Sequence, residues 1–241
     1  VHCGAHVNLV APYAALRRPN VLGTQAVLLL ATSAGFFSSF ASHRLKSVHY
    51  ISSNGVVPQD AAEFAETDEV TDWRVLEDGY AQTKFVGEKL CKAASSRGLP
   101  TSVLRPGNMG PTADGAWNKS DFVYLVVHGC LDLGMVPTDA PWRFDLTPVD
   151  FAAGAIMELV CNNPGGVLGQ TMHVQTRHAP VEAALLFEWV AAAAAAEGVA
   201  MRRVTLRELK EALAAAASAD SPMGAASVVT RLHAGLESFE P

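Results

Sequence analysis

From the first residue to about Asp150, short apolar runs alternate with stretches of helical period. That alternation predicts a parallel sheet with crossover helices. "VHCGA" predicts a strand that runs into a turn, and "PNVLGTQAVLLLATSAG" a helix with Pro19 near its start and Gly35 near its stop. "SVHYISS" is β-branched and aromatic, as strands are, and "TSVLRPGN" predicts a further strand that ends at Pro106. Between these two lies an acidic, polar connection, "QDAAEFAETDEVTDW". It is followed by an amphipathic helix, "GYAQTKFVGEKLCKAASSRG", closed by Gly98. "TPVDFAAGAIMELVCNN" predicts another helix. The texture then changes to one short strand, "TMHVQT", and two alanine-rich helices, "PVEAALLFEWVAAAAAAEG" and "LRELKEALAAAAS". Alanine is the strongest helix former, so helix is expected over disorder there. The expectation is an α/β chain, with a nucleotide-type sheet over residues 1–150 and a smaller, more helical region over 151–241.

Composition narrows this picture. The 241 residues are 49% hydrophobic and 17% charged, enough for a sizeable core. The net charge of −6 supplies no basic footprint for nucleic acid or an anionic membrane surface. The most apolar stretch, "AVLLLATSAGFFSSFA", is too short and too polar to span a bilayer, so a soluble protein is expected. Cys3, Cys91, Cys130 and Cys161 form no C-x-x-C pair. They read as reduced, mostly buried thiols of a cytoplasmic protein.

The sharpest chemical constellation is Ser53, Tyr80 and Lys84. "YAQTK" places Tyr80 and Lys84 at i and i+4, on one face of one helix. Ser53 ends the strand "HYISS", at the mouth of a parallel sheet, where such folds bind ligands. The chemistry that needs this trio is hydride transfer at a carbon bearing oxygen. Tyr80 would give a proton to the developing oxyanion, Ser53 would hydrogen-bond the same oxygen, and Lys84 would lower the Tyr80 pKa. A Tyr and a Lys four apart are in most helices an ordinary solvated face; the strand-end serine is what adds weight. His2, Cys3 and His6 resemble a metal cluster in spacing alone. On a strand Cys3 points away from the two histidines, and no second ligand pair follows, so no metal is expected. Glu88 reads as a salt-bridge partner, His43, His49 and His128 as surface or core residues, and Trp117 and Trp142 as packing or pocket-lining residues.

"NVLGT", "HYISSNGV", "YAQTKFVGEKL", "VLRPGNMGP" and "TPVDFAAGAI" stand in an order and spacing that resemble the extended short-chain dehydrogenase/reductases. "VHCGAHVNLVAPYAALRRPNVLGT" and "GAWNKSDFVYLVVHGCLDLGMVP" with "FDLTPVDF" resemble, more narrowly, their thioester reductase domains. Those domains end nonribosomal peptide synthetases, carboxylic acid reductases and aminoadipate reductases. The likeness covers roughly residues 1–180. It implies a Rossmann-like parallel sheet, N-terminally truncated, with a helical C-terminal substrate region. Ser53, Tyr80 and Lys84 match the family's catalytic residues, and Lys84 would also hold the cofactor ribose. Gly4 and Ala5 match the turn beneath the dinucleotide, and Asn20 a residue that supports the lysine region. Pro106, Gly107 and Asn108 match the loop at the nicotinamide end, and Asp150 a structural tie.

The resemblance further implies NADPH as cofactor and a phosphopantetheinyl carrier domain as partner. The substrate would be an acyl or peptidyl thioester, reduced to an aldehyde or onward to an alcohol. The glycine-rich G-x-x-G-x-x-G turn of dinucleotide folds is absent from the chain. Val1 is therefore expected to begin the family's fourth strand, leaving an exposed sheet edge and a helix-free face. Alternatives from the same superfamily are a sugar-nucleotide epimerase or dehydratase and a fatty acyl-CoA reductase. From another class, an inactive carrier-docking module fits the missing loop.

Overall fold

The computed structural model describes residues 1–33, 45–58, 61, 63–76, 78–217 and 232. Gly35 and His43 lie outside them. The chain divides into two units, one of residues 1–109 and 147–176, the other of residues 110–146 and 177–241. The first unit is thus left and re-entered, where the pattern of the sequence suggested one boundary at 150. The reason is long-range strand pairing: the segment after 147 returns to the sheet.

In chain order the first unit contains α1 (Tyr13–Arg17), α2 (Gly23–Thr32), β1 (Val48–Ile51), α3 (Gly79–Ser95), β2 (Thr101–Pro106), α4 (Val149–Met157) and β3 (Thr171–Val174). The sheet order is β1-β2-β3, all parallel, with Val48 opposite Thr101 and Val103 opposite Thr171. β2 is buried on both faces over its first five residues, as a central parallel strand must be. It ends at Pro106, which has no N–H to donate to a ladder. One face packs Val48, Tyr50 and Val103 against Leu28 and Ala31 of α2 and Cys91 of α3. The other packs Leu104 and Val174 against Ala152 of α4. The expectation of a helix-free face is therefore corrected: α4 covers it.

The expected first strand is reduced to one residue. His2 bridges Tyr50 in parallel, its N–H donating to the His49 carbonyl at 2.8 Å. Four residues on, the backbone pairs with a side chain in place of a strand: the His6 N–H donates to Asn20 Oδ1 at 2.7 Å. Pro19 does not start its helix. α1 precedes it, and Pro19 sits in a wide π-type turn, Arg18–Leu22, that leads into α2. Such a turn tolerates the missing proline N–H.

The second unit has its own core. Phe187, Leu209, Leu213, Val126, Val136 and Leu232 are among its buried members. Helix Phe122–Leu133 is N-capped by Asp121, whose Oδ1 accepts from the N–H groups of Val123 and Tyr124, and closes at Gly134 in the left-handed region at φ 63°. The alanine-rich helices span Ala183–Ala196 and Leu206–Ala217. Strands Met135–Pro137 and Arg202–Val204 pair in parallel. Among the described residues, no helix is long and apolar enough to cross a membrane.

Candidate active site

Because β1, β2 and β3 run parallel, with the His2 bridge alongside, their carboxyl ends lie along one rim, where open α/β sheets take ligands. Gly4 and Ala5 follow the bridge, Ser53 follows β1, and Gly107 and Asn108 follow β2. α3 brings the remaining candidates. Its N-terminus is fixed by Asp78, whose Oδ1 accepts from the Ala81 N–H at 2.7 Å. Gly79 opens the helix against the backbone of Ala11–Tyr13, with no room for a Cβ.

The buried residues of α3 are Ala81, Thr83, Lys84, Gly87, Glu88 and Cys91, so its inward stripe carries a hydroxyl, a cation and a carboxylate. Lys84 is only 2% exposed. Its Nζ donates to the Ile51 carbonyl and lies 4.3 Å from the centre of the Tyr50 ring. Burial pulls the Lys84 pKa down to about 8, with Glu88 pulling the other way. Burial also pushes the Tyr80 phenol up to about 12, and Asp78 adds to that shift. The expectation that Lys84 lowers the Tyr80 pKa is corrected for this arrangement: the ammonium is engaged by Ile51 and Tyr50, and burial dominates at Tyr80.

Ser53 is half-buried, and its Oγ accepts from the Gly55 N–H at 3.1 Å. A methyl group on Gly55 would touch both Ser53 Oγ and the Ala81 Cβ, so this turn lies against the first turn of α3. Asn20 is buried, and its Nδ2 donates to the His6 carbonyl at 3.1 Å and to Thr83 Oγ1 at 2.9 Å, beside Lys84. Gly107 is buried and its N–H donates to the Val174 carbonyl at 3.1 Å. Asn108 is exposed, its carbonyl accepting from the Thr147 N–H at 2.8 Å. Lys84 is thus tied to the end of β1 through the Ile51 carbonyl and Asn20 to α3 through Thr83, while Ser53 follows β1 and Gly4, Ala5, Pro106, Gly107 and Asn108 stand at the ends of the neighbouring strands. Asp150 is exposed in the first turn of α4.

The remaining candidates resolve as packing. His2 Nε2 lies 3.0 Å from Thr24 Oγ1, and no cluster of three metal-ligating side chains occurs among the described residues. Trp142 packs edge-on against Phe122, Phe144 and Phe187, and Trp117 against Tyr124. Cys91 and Cys130 are buried; Cys3 and Cys161 are exposed, against the expectation that most would be buried.

Glu88 is a salt-bridge partner, as its position suggested, but of a residue that sequence reasoning missed. Glu88 pairs with Arg105 of β2, which donates from Nε to Oε1 at 2.9 Å and from Nη2 to Oε2 at 2.8 Å. Ser52 Oγ donates to the same Oε1 at 2.6 Å. The available signal was an arginine inside an apolar strand, "SVLRP", because an arginine there needs a buried partner. Beyond Arg105, a cavity of about 340 Å³ opens between Asn54, Phe64, His173 and Gln175.

Comparison with known proteins places this fold. An NAD-binding family described as "Male sterility protein" matches residues 1–156, and the chain belongs to that family. The glycine betaine reductase ATRR of Emericella nidulans is 40% identical over 164 residues, which are 66% of this chain and 12% of that protein. The large subunit of L-2-aminoadipate reductase from Eremothecium gossypii is 36% identical over 159 residues, 64% of this chain and 11% of its own length. Among solved structures, the terminal R domain of the myxalamid PKS-NRPS pathway superposes with a TM-score of 0.80 at 34% identity. That match covers 99% of this chain and 56% of the R domain. The fold is that of a reductase domain, and the chain spans a small part of the curated relatives it matches.

Proposed function

We propose that this chain carries the catalytic half of an NADPH-dependent thioester reductase, acting on an acyl or peptidyl group held by a phosphopantetheinyl carrier domain. The observation that supports it most is the bond from Lys84 to the Ile51 carbonyl, which holds the helix that bears Tyr80 against the strand end that leads to Ser53. The donor set suits the nicotinamide end of a dinucleotide. The Lys84 ammonium has three N–H donors; the Ile51 carbonyl takes one and the face of Tyr50 lies 4.3 Å away, and a remaining donor would hold a ribose hydroxyl. Gly4, Ala5, Pro106, Gly107 and Asn108 would flank that end. The chain supplies no glycine-rich turn for the pyrophosphate.

When bound, NADPH supplies a hydride to the thioester carbonyl carbon. Tyr80 donates its proton to the carbonyl oxygen, and Ser53 steadies that oxygen by a hydrogen bond. The carbon–sulfur bond of the resulting hemithioacetal breaks, and the sulfur leaves as the free thiol of the carrier. One thioester, one NADPH and one proton give one aldehyde, one thiol and one NADP⁺. The same reading sets the chain in the cytoplasm, where free thiols persist.

The test is fluorescence titration of NADPH against this chain and against any longer native form of it, followed by thioester-dependent NADPH oxidation in the form that binds. Oxidation that is abolished by Tyr80→Phe is the expected result. Absence of NADPH binding in every form would overturn the reading and favour a carrier-docking module.

A further inference from the structure

We infer that Ser52, Glu88 and Arg105 form a positioning clamp that fixes the strand end bearing Ser53 against the helix bearing Tyr80 and Lys84. The inference rests on the reductase reading. Its three members are 3%, 4% and 2% exposed, so their polar groups are largely withdrawn from water; outside the clamp Arg105 Nη1 lies 3.4 Å from His173 Nε2. Each belongs to a different element. Ser52 follows β1 and immediately precedes Ser53, Glu88 stands one helical turn beyond Lys84 on α3, and Arg105 lies near the end of β2. The two oxygens of Glu88 collect all three contacts: Oε1 accepts from Ser52 Oγ and Arg105 Nε, and Oε2 from Arg105 Nη2. A bidentate guanidinium–carboxylate pair fixes orientation as well as distance. The Ser52 N–H donates to the Leu104 carbonyl at 2.7 Å, so β1 and β2 are already joined where the clamp acts.

The two serines divide the labour. Ser52 Oγ donates to Glu88 on α3, while Ser53 Oγ accepts from the Gly55 N–H in the turn that lies against the first turn of α3. A buried carboxylate is a poor choice for stability alone, because apolar packing of the same volume does as well or better. Its benefit here is geometric. Together with the bond from Lys84 to the Ile51 carbonyl, it ties α3 to the last residues of β1 at two successive turns.

Glu88 also faces Lys84 electrostatically. The other groups that act on Lys84 are Cys91 on α3, Cys3 and His2 in the opening segment, and the Tyr50 ring on β1. Of these, Glu88 acts most strongly to raise the Lys84 pKa, against the larger lowering by burial.

The experiment uses the longest native form of the protein that oxidises NADPH with a thioester. Ser52→Ala leaves the Glu88–Arg105 pair in place and removes only the link to β1. It is expected to lower kcat about tenfold, the scale of a sub-ångström misplacement, with KM for NADPH unchanged. Ser52→Thr keeps the hydroxyl and is expected to restore kcat. Glu88→Gln is expected to move the alkaline fall in activity to lower pH. If Glu88→Gln does not fold, the Ser52 pair decides alone. Wild-type kcat in Ser52→Ala overturns the clamp and leaves the reductase reading standing. A wild-type protein that reduces no thioester overturns both.

Discussion

Burial of the Lys84 ammonium against Tyr50 sets its pKa near 8, while the Tyr80 phenol stays protonated to about 12. The two shifts give a signed prediction. Thioester reduction should fall as pH rises through about 8, where Lys84 loses its charge, and Tyr80 should add no further fall before about 12. A pH profile of kcat/KM that stays level to pH 10 would contradict this. Stability should move the other way. In the unfolded chain Lys84 titrates near 10.5, so between about 8 and 10.5 the unfolded state binds more protons, and Lys84 makes the fold more stable as pH rises. Gly87 supplies a second residue-scale test. A Cβ there would strike the Tyr50 hydroxyl, and Tyr50 is only 1% exposed and cannot swing aside. Gly87→Ala should cost about 2 kcal/mol by overpacking, more than alanine returns in helix propensity, as read from the urea midpoint. Adding Tyr50→Phe should recover only part of that loss, because the ring carbon Cζ would still stand 2.6 Å from the new Cβ.

At the scale of elements, α3 depends on its first turn, because that turn carries Tyr80. Asp78→Ala removes the cap to Ala81 and should cost about 1 kcal/mol of stability. It should also lower kcat more than the cap energy alone explains, since Tyr80 lies two residues inside the frayed end; comparing chemical denaturation with kcat separates the two effects. β1, β2 and α3 were legible in the sequence because their signals are local: β-branched residues, a terminal proline, an amphipathic period and a closing Gly98, held at φ 93°. The opening strand was not: by His6 its backbone is bonded to Asn20, a partner that lies elsewhere in the chain. Helix Phe122–Leu133 was less legible. "FVYLVVHGCLDL" is apolar almost all round, and Asp121 and Gly134 are the punctuation that marks its ends. The same distinction explains the site. Tyr80 and Lys84 share one helix and could be paired by spacing, whereas the bonds from Ser52 and Arg105 to Glu88 cross three elements.

At the scale of the molecule, each unit has a core of its own, so each can be weakened by itself. Phe187 is 1% exposed in the second unit, and Phe187→Ala should cost about 3–5 kcal/mol there through transfer and cavity terms. Hydrogen exchange should localise the damage to residues 110–146 and 177–217, leaving the amides of β1 and β2 protected. The division into units also orders events in time. β2 has been synthesised by Pro106, yet the strand that covers its far side, β3, begins only at Thr171. During translation that side of β2 must wait while the ribosome delivers the part of the second unit that lies between. A nascent chain halted before Thr171 should therefore show an open, chaperone-accessible β2, and one halted well beyond Val174 should not.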